Sequence, residues 1–269
     1  MNTFAPVGLY SISVRGLDVP DLLSWAAHHG IPFVHLRGGK RGYDLAAQDA
    51  STLARWREAS TRTVPVTGVT ADTDLADLLS TDPALRRQAR REVHRLADAA
   101  RAVGAGWLRL LARHPLKTTD FAADSSWMLD GLEVPLLIEL HDPQWLAERP
   151  HAAMVCLLQR QPRLHLLADT AQLAQAFVEP DDGRTAERLD GLGPWIKVLH
   201  LSDPGPGLVG PGHSVVADHV MRRITDGQRI EVAVEWTGAD RTPAAALTRY
   251  RDHTAWWSRR STARPEAGS

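Results

Sequence analysis

The stretch Leu136-Leu137-Ile138-Glu139-Leu140-His141-Asp142 decides how this chain is read. A short apolar run closes on a carboxylate, a histidine and a second carboxylate. At strand periodicity, Leu137, Glu139 and His141 share one face. A carboxylate on the buried face of a strand is costly unless something positive faces it. The same pattern recurs at Leu166-Leu167-Ala168-Asp169, at Val198-Leu199-His200 and at Val232-Ala233-Val234-Glu235. Each apolar strand ends on one side chain able to hold a metal.

Working outward from these four, the apolar runs at residues 8–14, 31–37, 64–69, 106–111, 136–142, 164–169, 195–201 and 230–235 read as strands. Helical patterns alternate with them. Asp18-Val19-Pro20 opens the first helix and Gly30 ends it; the second covers residues 44–60. Asp72, Asp74 and Asp77 fall in a loop. Asp82-Pro83 pairs an N-cap with a first-turn proline, and Gly104 stops that third helix. A weaker helix spans residues 120–129, and another spans 143–160 with Pro150 as a candidate break. Two helical pieces flank residues 179–183. The last two helices cover 215–225 and 243–257, and the glycines and prolines from Pro204 to Gly212 form a long loop between strand and helix. Strict alternation of strands and helices implies parallel strands joined by right-handed crossovers. Eight such units, with no compositional break, predict a single (β/α)₈ TIM barrel over residues 1–257 and a flexible tail over 258–269. Catalytic groups of such barrels lie at the C-terminal strand ends, where these four fall.

Composition narrows the function. The chain has 269 residues, 43% hydrophobic and 23% charged, which supplies ample apolar material for one large core. A formal net charge of −1 gives no field that would hold nucleic acid. Arg86, Arg87, Arg90, Arg91 and Arg95 share one helix and read as a solvated face. The one cysteine, Cys156, cannot form an internal disulfide and suits a reducing compartment. No uncharged run approaches the length of a membrane span, and the first residues carry no basic, apolar leader pattern. The expectation is a cytoplasmic protein acting on a small molecule, without nucleic-acid or membrane partners, and with a homo-oligomer left open.

Glu139, Asp169, His200 and Glu235 follow one another at intervals of 30, 31 and 35 residues, about one βα unit each. Neighbouring strands lie about 4.8 Å apart, so four inward groups on one rim can reach one centre. Three carboxylates that close repel and raise their own pKa values unless a cation lies between them. One imidazole with three carboxylates and no sulfur suits a single Mn²⁺, Mg²⁺, Co²⁺ or Zn²⁺ ion. Around this centre, Arg37 and Arg109 end strands 2 and 4 and could clamp an anionic group. His141 could orient Glu139, Asp203 could fix His200 or touch substrate, and Trp145 and Trp236 could exclude water or stack on a ligand.

The ordered set Leu137-Ile138-Glu139-Leu140-His141-Asp142, Ala168-Asp169-Thr170, Lys197-Val198-Leu199-His200-Leu201-Ser202-Asp203, Gly210-Pro211-Gly212 and Val234-Glu235-Trp236 resembles the sugar phosphate isomerase/epimerase family of xylose-isomerase-like TIM barrels. Val34-His35-Leu36-Arg37-Gly38-Gly39 matches more loosely. The resemblance implies one divalent metal on Glu139, Asp169, His200 and Glu235, with Glu139 and Glu235 as acid and base. It implies isomerisation or epimerisation of a small sugar, cyclitol or hydroxy-carbonyl compound by proton transfer through a metal-stabilised enediolate. The same start, followed by loss of a β-hydroxyl, would give a dehydratase of the inosose or dehydroshikimate type. A phosphodiesterase of the endonuclease-IV kind would want more histidine ligands and a basic groove. A non-catalytic barrel serving a biosynthetic pathway would hold no metal.

Departures from the family pattern bear on substrate. Where the family usually has a histidine three residues after the strand-6 aspartate, this chain has Gln172, which can hydrogen-bond but not titrate. His35 stands where an acidic residue is frequent. Trp145 occupies the position of a further glutamate in the ketose 3-epimerases, which argues against free-ketose 3-epimerisation.

Overall fold

The computed structural model describes residues 6–115, 126–178 and 183–262. Eight parallel strands close into a barrel in sequence order: β1 (Val7–Tyr10), β2 (Val34–Arg37), β3 (Val66–Asp74), β4 (Leu108–Ala112), β5 (Leu136–Leu140), β6 (Leu164–Asp169), β7 (Ile196–Asp203) and β8 (Glu231–Trp236), with β8 paired back to β1. The helices are α1 (Val19–His28), α2 (Ala50–Arg62), α3 (Leu75–Leu78), α4 (Pro83–Val103), α5 (Glu148–Arg160), α6 (Thr170–Ala174), α7 (Thr185–Leu192), α8 (Pro211–Thr225) and α9 (Pro243–Thr262). The chain is the single (β/α)₈ barrel that its alternation predicts. Among the described residues, no helix is long and apolar enough to cross a membrane.

Helix α4 shows how local sequence places an element. The Asp82 carboxylate accepts from Ala84 N at 2.8 Å, Pro83 fills the first turn, and Gly104 ends the helix at φ +93°. Its buried stripe of Ala89, Val93, Leu96, Ala100 and Val103 lies over β3, while Arg87, Arg91 and Arg95 face solvent.

Several boundaries differ from the sequence reading, each for a local reason. Strand β3 runs on through Asp74, so Asp72 and Asp74 belong to a strand and not to a loop. The Asp74 carboxylate accepts from Ala76 N at the start of α3 and from Arg113 N at the end of β4, which ties the extension down. The break before α5 falls at Ala147 and not at Pro150, which sits in the helix's first turn, where no amide donor is needed. Pro211 and Gly212 start α8 and do not belong to the preceding loop. A Cβ on Gly212 would lie 2.3 Å from Ala174 O, so only glycine lets α8 approach α6 so closely. Helix α9 continues past residue 257 to Thr262, where Arg260 pairs with Asp218 at 2.6 Å. Most of the weak helix expected over residues 120–129 lies outside the described residues; Ser126–Leu129 forms a short 3₁₀ turn.

Most of the core lies between the strands and the helical ring. A smaller cluster, Trp107, Leu137, Leu167 and Val198, fills the barrel interior. Two residues further along the same four strands stand Arg109, Glu139, Asp169 and His200, so period-2 alternation puts a polar layer directly on an apolar plug.

Candidate metal centre and active site

Asp169 and His200 are paired in register across β6 and β7, and Glu235 of β8 stands opposite Ser202, two residues beyond His200. One ligand atom from each of Asp169, His200 and Glu235 can be chosen so that all lie within 4.8 Å of one another. Tetrahedral ligands at about 2.1 Å from a small divalent cation lie about 3.4 Å apart, so the trio would draw in by at most about 1.4 Å to close on such an ion. Glu139, the fourth ligand named from sequence, sits in the same polar layer but is engaged elsewhere. Its Oε2 lies 2.6 Å from Arg109 Nε and its Oε1 lies 2.5 Å from His141 Nε2. Each carboxylate oxygen has further lone pairs, so these contacts leave Glu139 able to serve the site as well.

The charges are unevenly compensated. Burial alone would raise the Glu139 pKa, but Arg109 and then His141 outweigh it and hold the carboxyl at about 2. Glu235 has no comparable partner; burial and then the charge of Glu139 push it up to about 7. Asp169 is raised well above the usual carboxylate range by burial, then by Glu235 and Glu139. Burial pushes His200 down to about 3, so its ring is neutral and able to ligate near pH 7. Two carboxyls that resist ionisation, beside a neutral imidazole, are a donor set that could hold a cation.

Three of the remaining residues named from sequence approach this centre. Arg109 also donates to Ala71 O at 2.9 Å, which fixes its fork against Glu139. His141 is drawn above its ordinary pKa, since its bond and pairing to Glu139 outweigh burial. Gln172 donates its backbone N–H to Asp169 Oδ1 at 3.0 Å, the N-cap bond of α6. Arg37 is half-buried at the end of β2, 3.8 Å from Asp72.

The others are turned away. Asp203 is on the opposite face of β7 from His200. Its carboxylate accepts from Gly205 N and Gly207 N at 2.8 Å each and faces His253 of α9 at 3.0 Å. It therefore ties the loop after β7 to α9, and its expected contact with His200 is not made. Trp236 follows Glu235 and so faces outward, with Nε1 donating to Asp240 O and Arg249 lying 4.5 Å from the ring centroid. Trp145 is fully buried and donates to Ala112 O at 2.9 Å. Alternation alone could have excluded Asp203 and Trp236, since each is an odd number of residues from an inward ligand.

Sequence reading passed over Tyr10 and Glu231, and it noted His35 only as a departure from the family pattern. Tyr10 stacks on His200 at 4.9 Å between centroids and bonds Thr70 Oγ1 at 2.6 Å. His35 Nδ1 lies 3.0 Å from His200 Nε2, and His35 Nε2 lies 3.0 Å from Glu231 Oε2. The signal was present: Phe33, His35 and Arg37, and likewise Glu231, Ala233 and Glu235, alternate onto one face.

No protein-family model matches this chain, and no curated protein matches its sequence. Solved structures do. D-psicose 3-epimerase in the presence of D-fructose superposes with a TM-score of 0.68 at 13% identity, over 95% of this chain and 99% of that one. The apo 3-keto-D-glucoside 4-epimerase YcjR from E. coli gives a TM-score of 0.67 at 15% identity, over 95% of this chain and 100% of that one. The IolI protein with a bound zinc atom gives 0.67 at 12%, over 96% and 100%. The neighbours are xylose-isomerase-like TIM barrels, among them sugar epimerases, and at such identity the likeness establishes the fold.

Proposed function

We propose that this protein is a divalent-metal-dependent isomerase or epimerase of a small polyhydroxylated carbonyl compound. The observation that carries the reading is the convergence of Asp169, His200 and Glu235 on one point of the C-terminal rim, beside a second buried glutamate already held ionised. The names of the structural neighbours agree in reaction type, and one of them binds zinc.

Asp169, His200 and Glu235 would hold the ion, with Glu139 as the fourth ligand. The bound cation would supply positive charge for a substrate oxygen that becomes anionic. The chain's own residues do the rest. Arg109 keeps Glu139 ionised and pins its orientation. His141, about a quarter exposed and 2.5 Å from Glu139 Oε1, links that carboxylate to solvent protons. Glu139 comes from β5 and Glu235 from β8, so they flank a substrate from two sides and share removal and return of its α-proton. Without metal, burial and then the charge of Glu139 keep the Glu235 carboxyl raised, so it would give up its proton as the ion binds and meet the substrate as a carboxylate. Trp145, buried with its N–H committed, puts no carboxylate where the ketose 3-epimerases have one, so the substrate we propose is not a free ketose epimerised at C3.

Elemental analysis of the purified protein, followed by incubation with ketoses and inososes, tests the reading. One divalent ion per chain and a rearranged or epimerised product are expected. A product with a new double bond would make the protein a dehydratase. Absence of bound metal, with a melting temperature indifferent to chelator and to added metal, would remove the basis of both.

A further inference from the structure

Four polar side chains run in one line through the barrel interior. Glu231 Oε2 lies 3.0 Å from His35 Nε2, His35 Nδ1 lies 3.0 Å from His200 Nε2, and His200 Nδ1 lies 2.9 Å from Glu235 Oε2. Both histidines are fully buried. The way the protons point along this line follows from its lower end. Trp107 Nε1 can only donate, and it reaches Glu231 Oε2 at 3.2 Å; the Thr67 hydroxyl reaches the same oxygen at 2.9 Å. Glu231 Oε2 is thus the acceptor at this junction, and His35 brings its proton on Nε2.

A neutral His35 then has its lone pair on Nδ1, so His200 must present its N–H at Nε2. The lone pair of His200 is left on Nδ1, the nitrogen that faces Glu235. Neither ring is free to turn over. Tyr10 stacks on His200, while Phe33 and Trp107 lie against His35 at 5.3 and 4.7 Å between centroids.

We propose that Glu231 and His35 are a positioning pair that locks His200 in its Nε2–H tautomer and keeps the Nδ1 lone pair turned toward the cation. The purpose of the lock rests on the metal centre proposed above; the tautomer itself is a property of the metal-free protein. In the other tautomer, an N–H at Nδ1 would bond Glu235 and occupy the ligand position. Hydrogen bonding from the far nitrogen is the common means by which a protein orients a ligating imidazole. Here the acceptor is a second histidine, which passes the constraint on from a carboxylate at the opposite end of the barrel.

NMR of isotope-labelled histidine in the metal-free protein tests this, with His200 assigned from the signals lost in His200→Gln. The wild type should show His200 protonated at Nε2 and bare at Nδ1. His35→Phe keeps an aromatic ring but removes the acceptor, and Glu231→Leu removes the anchor. Both should lose the single tautomer and weaken Zn²⁺ binding, measured by competition with a chromophoric chelator, by roughly 10–100-fold. Glu231→Gln, whose carbonyl can accept the same bonds, should retain both properties; this milder variant and the wild-type tautomer decide the matter should the other two fail to fold. His200 protonated at Nδ1 or on both nitrogens in the wild type would overturn the proposal. So would disruptive variants that keep the tautomer and the zinc affinity. A wild type that binds no zinc would instead overturn the metal reading, and its histidine signals would still decide this one.

Discussion

Zinc should expel a proton when it binds below pH 7. A carboxyl must be ionised to ligate, and in the metal-free protein Glu235 titrates at about 7. The apparent affinity then scales with the fraction of Glu235 that is ionised, so it falls about tenfold at pH 6 and about a hundredfold at pH 5, and becomes level above pH 8. Asp169, also raised by its neighbours, adds a second proton and steepens the slope at the acid end. His200, pushed down to about 3, does not compete over this range. The same shift has a consequence for stability. The folded pKa of Glu235 lies above its ordinary value of 4.5, so the metal-free fold binds a proton that the unfolded chain has already lost. Its stability contribution is present below pH 4.5 and is lost as pH rises through 7, by at most roughly 3 kcal/mol for this group. Bound metal reverses the trend. Calorimetric zinc titrations from pH 5 to pH 8, in buffers of different ionisation enthalpy, count the protons directly. An affinity that is flat from pH 5 to pH 7, with no proton released, would refute the electrostatic account of this site.

Replacing His200 or Asp169 with alanine should abolish zinc binding in the same titration, since each would supply one of the three converging ligand atoms of the proposed site. Glu139→Gln and Glu235→Gln should each slow turnover of whatever substrate is found by roughly 10²–10⁴-fold, read from initial rates. Arg109→Met should destabilise the fold by roughly 3–5 kcal/mol in denaturant unfolding, because it leaves Glu139 as a buried charge with only His141 beside it; adding Glu139→Gln should recover much of the loss. Asp203→Ala should raise amide exchange at Gly205 and Gly207 without altering zinc affinity, because that carboxylate binds the loop and not the centre.

The barrel was legible because one strand pattern recurs eight times with helical spacing between, and because Asp82-Pro83 and Gly104 mark their helix without tertiary help. The grouping of Asp169, His200 and Glu235 was legible because a polar residue at the end of an apolar strand has few reasons to be there. Direction was harder to read. Asp203 and Trp236 were drawn to the site by nearness in sequence, although alternation sends them to the outer face. Strand β3 was ended at residue 69, with Asp72, Asp74 and Asp77 read as a loop, whereas the strand runs to Asp74, whose carboxylate is tied down by the amides of Ala76 and Arg113. Glu231 escaped notice because it opens its strand, whereas the reading attended to where strands close. The hold of His141 on Glu139 was read from the sequence, whereas that of Arg109 depends on side chains from two strands meeting in space, which spacing alone does not reveal.

The seam where the barrel closes joins the two ends of the chain. Tyr250 of α9 donates to Val7 O at 2.7 Å, Arg241 reaches Ile12 O, and Ser13 accepts from Trp236 N, across sequence separations of 243, 229 and 223 residues. Joining ends that far apart costs roughly 5 kcal/mol of loop entropy before any contact is made. Contacts of such range slow folding, so closure of β8 onto β1 belongs late in the pathway, after local βα units have formed. Glu235 and Glu231 both lie on the closing strand. A chain arrested before closure would already carry Glu139, Asp169 and His200 on consecutive strands, yet would lack both Glu235, the last candidate ligand, and Glu231, the anchor beneath His35. On the proposed function, competence for metal would therefore depend on closure of β8 onto β1, because Glu235 joins Asp169 and His200 only then.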